Sequence, residues 1–201
     1  MSSENSDNPM TKAQEADRAP LPKRFYKTAD VDAADDDIDG FVVQLDGRPV
    51  RTPKRRLLLM PTRDQAQAIA GEWNSVADII DPANMPLTRL ANTAIDGVAD
   101  TMEAVAQDAA RFVESDLICY RAEGPEGLVA RQSEVWDPLV AWARDELGLR
   151  LNLAAGVMHV AQPPETLERV QAHLEEFDAI ALTGLHVMTT LTGSLVIALA
   201  V

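Results

Sequence analysis

Two hydrophobic periodicities divide the chain. Between Lys23 and Thr62 the apolar residues come in short runs, "FVVQL" at 41–45 and "LLLM" at 57–60, punctuated by Asp-Gly and by Pro49 and Pro53. Runs this short between turn residues predict β-strands. The period then changes. Thr62 and Gln65 have the capping-box form, a hydroxyl followed three residues later by an amide that can reach back. Ile69, Trp73, Val76 and Ile80 follow at helical spacing, so a helix is predicted from about Thr62 to Val76.

"DPANMPLT" at 81–88 is a proline-marked break, and beyond it the pattern is helical. Leu87, Leu90, Ala91, Ala94, Ile95 and Val98 share one predicted face. A second helix opens near Asp100 with Val105, Ala109, Phe112 and Val113 inward. A third covers about 126–147, where Asp137-Pro138 is expected to kink or restart it. A fourth begins at Pro164 with Leu167, Val170 and Leu174 on its apolar side. The expected fold class is α+β: a tail at 1–22, a small strand-rich domain with one helix at 23–83, and an all-helical domain at 84–201. No internal repeat occurs at a solenoid period.

Residues 179–201 contain no charged side chain. The run is long enough to cross a bilayer, but it includes Thr183, His186, Thr189, Thr190, Thr192 and Ser194, and no basic cluster flanks it closely. It reads as a helix buried on all sides by its own protein, the most central of the set.

Charge sharpens the division. Of the 18 bases and 32 acids, residues 1–56 hold 10 bases and 11 acids, and residues 57–201 hold 8 bases and 21 acids. An acidic body repels nucleic acid and anionic lipid, so neither is an expected partner. Cys119 is the single cysteine, which excludes an internal disulfide and gives no sign of an oxidising compartment. The first twenty residues lack the apolar core of a secretory signal and carry Glu4, Asp7, Glu15 and Asp17 against an organellar transit peptide. They read as a solvated tail, and a bacterial cytoplasm is the expected location.

"DDDIDGFVVQLDG" at 35–47 has calcium-loop spacing, with Asp35, Asp37 and Asp39 at positions one, three and five, Gly40 at six and Asp46 at twelve. A calcium-binding regulator is therefore an alternative reading. The loop needs a helix beginning near position ten, however, and Gln44 lies there inside "FVVQL", followed by the hairpin sequence "DGRP". An acidic loop between strands is the better expectation.

Enzyme chemistry finds little support. His159, His173 and His186 form no metal-ligand pair of known spacing, "TGSLV" lacks the second glycine of a nucleophile elbow, and no glycine-rich phosphate loop occurs. Cys119 among apolar neighbours reads as a buried, inert thiol. No catalysis and no cofactor are expected. Two features suit binding instead. Arg48, Arg51, Lys54, Arg55 and Arg56 fall within nine residues, as edge-strand protection or as a basic face for an acidic partner. Among only nine aromatic residues three are tryptophan, Trp73, Trp136 and Trp142, a residue type favoured at binding hot spots.

Seven ordered blocks, "RFYK", "GFVVQLDGRPVRTP", "LLLMPT", "AIAGEWNS", "MPLTRLANTAID", "DLICYRAEGPEGLVARQSEVWDPLVAWA" and "LTGLHVMTTLTGSLVIALA", resemble the ATP-twelve assembly chaperones of mitochondria and alphaproteobacteria. The resemblance runs from about Lys23 to Val201. It implies a non-catalytic, cofactor-free protein, expected as a monomer in a bacterial cytoplasm or, in a eukaryote, the mitochondrial matrix. It further implies that the partner is the unassembled alpha subunit of the ATP synthase catalytic head, shielded from aggregation until the beta subunit replaces the chaperone. An orphan subunit exposes an apolar interface, which is an aggregation hazard until covered.

Carried over by position, the resemblance nominates Glu72 and Trp73, with Asn74 standing where the family has Asp. It also nominates Pro86, Leu87, Thr88, Asn92, Thr93 and Asp96, then Trp136 and Asp137, as partner-binding or structurally critical residues. The family's chains continue beyond the equivalent of Val201 with an acidic helix, which the resemblance implies would cover part of the apolar segment.

Overall fold

The computed structural model describes residues 21–35 and 37–201; of the expected tail at 1–22, residues 1–20 lie outside the described residues. Strand β1 (Ala29–Ala33) pairs antiparallel with β2 (Phe41–Leu45), Ala29 opposite Leu45 and Ala33 opposite Phe41. The other edge of β2 is shared by two short strands. β3 (Arg48–Pro49) follows a tight hairpin, and β4 (Leu59–Met60) returns to pair Phe41 with Met60. Asp46 and Gly47, with φ of 48° and 77°, make the hairpin turn, a left-handed pair that Asp-Gly adopts at low cost. Pro22 is already part of this unit, since its carbonyl accepts from Ile80 N–H at 2.8 Å.

Helix α1 (Arg63–Ser75) starts where the sequence places it. Thr62 accepts from Gln65 N–H at 3.3 Å, and the Gln65 side chain accepts from Thr62 N–H at 3.2 Å. Its inner face, Ala66, Ile69 and Ala70, packs against Val43, Leu45, Leu58 and Met60 of the sheet region. Helix α2 (Pro86–Asp96) follows, then α3 (Met102–Arg111). A short parallel pair, β5 (Tyr120–Arg121) with β6 (Ala154–Ala155), brackets α4 (Glu126–Glu146). Helices α5 (Pro164–Glu175), α6 (Ala179–Thr192) and α7 (Leu195–Leu199) complete the described chain. This is the expected α+β class.

Two apolar cores result. One joins the sheet to α1; the other gathers Val113, Ile118, Leu149, Val170, Leu174, Leu182, Leu195 and Val196 among the later helices. Met85 and Ala91 belong to the first core, and Ile180 packs against it. Helix α2 therefore packs on the first core, with Ile95 also against it, although its sequence pattern groups it with the later helices.

Two sequence expectations need correction. The uncharged segment is not one helix buried on all sides. Gly193, in the left-handed region at φ 69°, ends α6, and the Ser194 hydroxyl caps α7 by accepting from Ile197 N–H at 3.0 Å. Val187 and Leu191 face solvent, Leu191 at 81% exposure. No helix among the described residues is long and apolar enough to cross a membrane. Nor does Asp137-Pro138 restart α4, which runs continuously from Glu126 to Glu146. Proline frees the carbonyl four residues earlier, here that of Glu134, and both residues are exposed, so water can satisfy it.

The break between α6 and α7 rests on Asp116. This fully buried carboxylate accepts from Ile118 N–H at 3.2 Å and from Val196 N–H at 3.0 Å. Burial raises its pKa above the usual carboxylate value, against the Ser194 contact and the amides that lower it.

Candidate functional site

An apolar groove of about 620 Å³ lies where α1, α2, α6 and α7 meet. Ile69 forms its floor, Leu87 and Leu90 line the α2 side, and Ile180, Gly184 and Met188 the α6 side. Leu87, expected inward from its spacing, is 44% exposed at the rim. The reason is that α2 is buried on the line Thr88, Ala91 and Ala94, which turns Leu87 outward by about one residue's rotation.

Helix α2 is held at both ends by the strand-rich region. At its start, Met85 gives no side-chain cap and Pro86 has no N–H. The free donors are Leu87 and Thr88, and both reach Glu72 of α1, each at 2.8 Å; the Thr88 hydroxyl adds a third bond at 2.5 Å. A carboxylate here satisfies the unpaired amides and complements the positive end of the helix dipole.

At the other end, Asp96 accepts from the Thr52 hydroxyl at 2.6 Å and from Lys54 N–H at 2.9 Å. Lys54 Nζ donates to the Asp96 carbonyl and an Arg56 Nη to the Ile95 carbonyl, both at 2.6 Å. Arg56 also forms a two-pronged pair with Asp100 at 2.7 and 3.0 Å. Cations thus meet the negative end of the helix, as its dipole favours. Burial opposes ionisation of Asp96, but the Thr52 and Lys54 bonds prevail and its pKa is lowered; that of Asp100 is lowered chiefly by Arg56.

Trp73 is half-buried with its ring edge-on to Tyr26, centroids 5.6 Å apart. The Tyr26 hydroxyl donates to the Trp73 carbonyl at 2.6 Å, while the buried Trp73 indole N–H has no partner. Asn74 ties α1 to β1, accepting from Ala29 N–H at 2.9 Å and donating to its carbonyl at 2.7 Å. An aspartate could not make the second bond. Farther on, Arg121 pairs with Asp137 at 2.7 Å and lies 5.5 Å from the Trp136 ring centroid, fixing β5 against α4.

The comparisons with known proteins bear on what this arrangement is. The family model described as ATP12 chaperone protein matches residues 23–144. The chain belongs to the ATP12 chaperone family. The crystal structure of Atp12 from Paracoccus denitrificans superposes with a TM-score of 0.80 at 43% identity, covering 89% of this chain and 75% of that one. A point variant of the same protein gives the same values. The Atu1473 protein of Agrobacterium tumefaciens matches with a TM-score of 0.81 at 45% identity, covering 96% of this chain and 72% of that one. The α+β expectation and the resemblance read from the ordered blocks both agree with these findings, and the chain is an ATP synthase assembly chaperone.

Of the nominated residues in this ATP12 chain, the structure brings Glu72, Pro86, Leu87, Thr88 and Asp96 together around α2. Trp136 and Asp137 lie apart, with Arg121. Thr93 donates only to the Arg89 carbonyl of its own helix, at 2.9 Å, and Asn92 is half-buried. The basic group also divides. Lys54 and Arg56 are engaged on α2. Arg48, Arg51 and Arg55 remain exposed, Arg51 donating to the Arg55 carbonyl at 2.9 Å.

The calcium-loop spacing does not converge in space. Asp46 sits at the hairpin end of β2, whereas Asp35, Asp37 and Asp39 precede its other end, roughly 15 Å away at strand rise. The Asp46 carboxylate instead accepts from Lys27 N–H and Thr28 N–H at 2.9–3.1 Å, bonds that lower its pKa, Thr28 foremost. Gly40, at φ 134°, closes against β4, where a side chain would meet the Met60 carbonyl at 2.9 Å. Position 36 lies outside the described residues.

The remaining candidates have structural partners. Cys119 is buried and its thiol is pushed up to about 12, mainly by desolvation. His173 contacts the Leu147 carbonyl, His186 the Asp108 carboxylate and His159 the Tyr120 hydroxyl. Sequence reading missed Thr52, Arg24 and Asp116. Arg24 donates to the Tyr26, Lys27 and Val76 carbonyls at the end of α1. The bonds of these residues that tie distant segments, Arg24 to Val76, Thr52 to Asp96 and Val196 to Asp116, have no local spacing that could announce them.

Proposed function

We propose that this ATP synthase assembly chaperone binds the unassembled alpha subunit of the catalytic head. It covers the surface that later meets the beta subunit and gives way when beta arrives, without catalysis and without a cofactor. The observation that supports this most is the family match over residues 23–144 together with the structural correspondence to Atp12 of Paracoccus denitrificans over 89% of this chain. A physical requirement agrees with it. A cover for an apolar interface needs an apolar surface of its own, and moderate affinity so that it can leave.

The groove bordered by Leu87, Leu90, Ile180 and Met188 meets the first requirement. In this reading Leu87 touches the client, while Glu72, Thr88 and Asp96 position the helix that presents it. Trp73, Trp136 and Asp137 keep the framework rigid. The test is aggregation of isolated alpha subunit, followed by light scattering and co-elution, with isolated beta subunit as the control. Suppression and co-elution with alpha but not beta are the expected result; no effect on alpha refutes the proposal.

A further inference from the structure

The chain from Asn152 to Gln162 leaves the helical body and returns to it, and its neck is tied. The Gln162 side chain, itself buried, accepts from Asn152 N–H at 2.9 Å and donates to the Asn152 carbonyl at 3.0 Å. The Asn152 side chain donates across the same neck to the Ala161 carbonyl at 2.9 Å. One arm adds Ala154 and Ala155 to β5, extended by Gly156 N–H donating to the Arg121 carbonyl at 2.8 Å. On the return arm His159 Nδ1 lies 3.2 Å from the Tyr120 hydroxyl. Gly156 makes the bend at φ 76°, where a side chain would strain.

This scaffold presents two apolar side chains to water. Val157 is 95% exposed and Met158 is 77% exposed, with Leu153 exposed at the base. Single exposed apolar residues need no explanation. Two adjacent ones at the end of a loop held by side-chain hydrogen bonds and a strand pair are different, because a compact loop of this kind is a common vehicle of function. Methionine adds a flexible, polarizable contact that adapts to an irregular surface.

We infer that the Val157–Met158 tip is a contact point for the chaperone's client, inserting into an apolar depression bordered by basic residues. The inference rests on the client reading above. Charge decides the stated surroundings. The tip itself, Ala154 to Val160, carries no carboxylate or amine, and its one titratable side chain, His159, is engaged with the Tyr120 hydroxyl, while residues 57–201 hold 21 acids against 8 bases. The Glu123 carboxylate stands beside Gly156, 3.3 Å from where a side-chain carbon would be. A neutral apolar point on an acidic body is complementary to an apolar spot with a basic rim, and its association is slowed by salt.

The experiment is binding of isolated alpha subunit to this chain and to Val157→Ser/Met158→Ser, at low and high salt, with thermal melting of both. The expected result is unchanged melting and affinity weaker by about tenfold or more in the double variant. Val157→Ile/Met158→Leu should restore binding. Peroxide oxidation gives a second reading: alpha should slow sulfoxide formation at Met158, with buried Met60 and Met85 as internal controls. If the unaltered chain binds alpha and the serine variant binds equally, the tip assignment is wrong and the client reading stands. If the unaltered chain ignores alpha, the client reading fails and the tip assignment falls with it.

Discussion

Glu72 and Thr88, sixteen residues apart, share two hydrogen bonds: the Thr88 amide at 2.8 Å and its hydroxyl at 2.5 Å both donate to one Glu72 carboxylate oxygen. Helix α1 thereby caps helix α2. Since Thr52, Lys54 and Arg56 hold the opposite end, the wall of the groove is set by the strand-rich region at both of its termini.

Removal of the cap should show in stability. Glu72→Ala leaves the Leu87 and Thr88 amides unpaired and is expected to cost about 1–2 kcal/mol. Glu72→Gln keeps one acceptor oxygen and should lose less. Urea unfolding measures both. Equal stability of all three proteins would remove the cap from the account.

The clamp at the other end predicts a pH dependence. Asp96 and Asp100 have folded pKa values below their ordinary value near 3.8. A depressed carboxylate contributes stability that is fully present above its unfolded pKa and lost as pH falls through its folded pKa. Acid unfolding below about pH 4 should therefore include these groups, and Arg56→Ala should flatten the acid limb. High salt should reduce the difference, because the pair is exposed.

Asp116 works in the opposite sense. Burial raises its folded pKa, so its charge costs stability as pH rises from the unfolded value through the folded one. Asp116→Ala should still destabilise, by about 2–3 kcal/mol, because the Ile118 and Val196 amides lose their acceptor. Proteolysis near Gly193 should rise in that variant; unchanged cleavage and melting would contradict the assignment.

Trp73 separates two effects. Trp73→Arg places a cation beside Tyr26 without a buried carboxylate to meet it and should cost about 3 kcal/mol or more. Trp73→Phe keeps an aromatic ring and removes an unpaired buried N–H, so it should fall within about 1 kcal/mol of the unaltered protein. Thermal melting of the two variants decides.

Features set by neighbours in sequence were the legible ones. The Thr62–Gln65 capping box, the Asp46-Gly47 hairpin and the start of α5 at Pro164 follow local rules, and each stands where those rules put it. "TGS" at 192–194 also held a glycine stop and a serine cap. The absence of charge around it suggested a single buried helix instead. Leu87 faced outward because long-range packing, not spacing, fixed the rotation of α2. The Glu72–Thr88 cap and the Arg56–Asp100 clamp join residues 16 and 44 positions apart, beyond any local pattern. The calcium-loop spacing is also local, but the strand legible inside it as "FVVQL" carries Asp46 away from the other acids, which is why the acidic-loop reading is preferred.

The most direct test of the central claim is mixing this chain with isolated alpha subunit and following light scattering and co-elution, with beta subunit alongside. The account predicts that alpha stays soluble and elutes with the chain, that beta alone gains nothing, and that adding beta to the complex releases the chain. Alpha that aggregates at the same rate with and without the chain would contradict it.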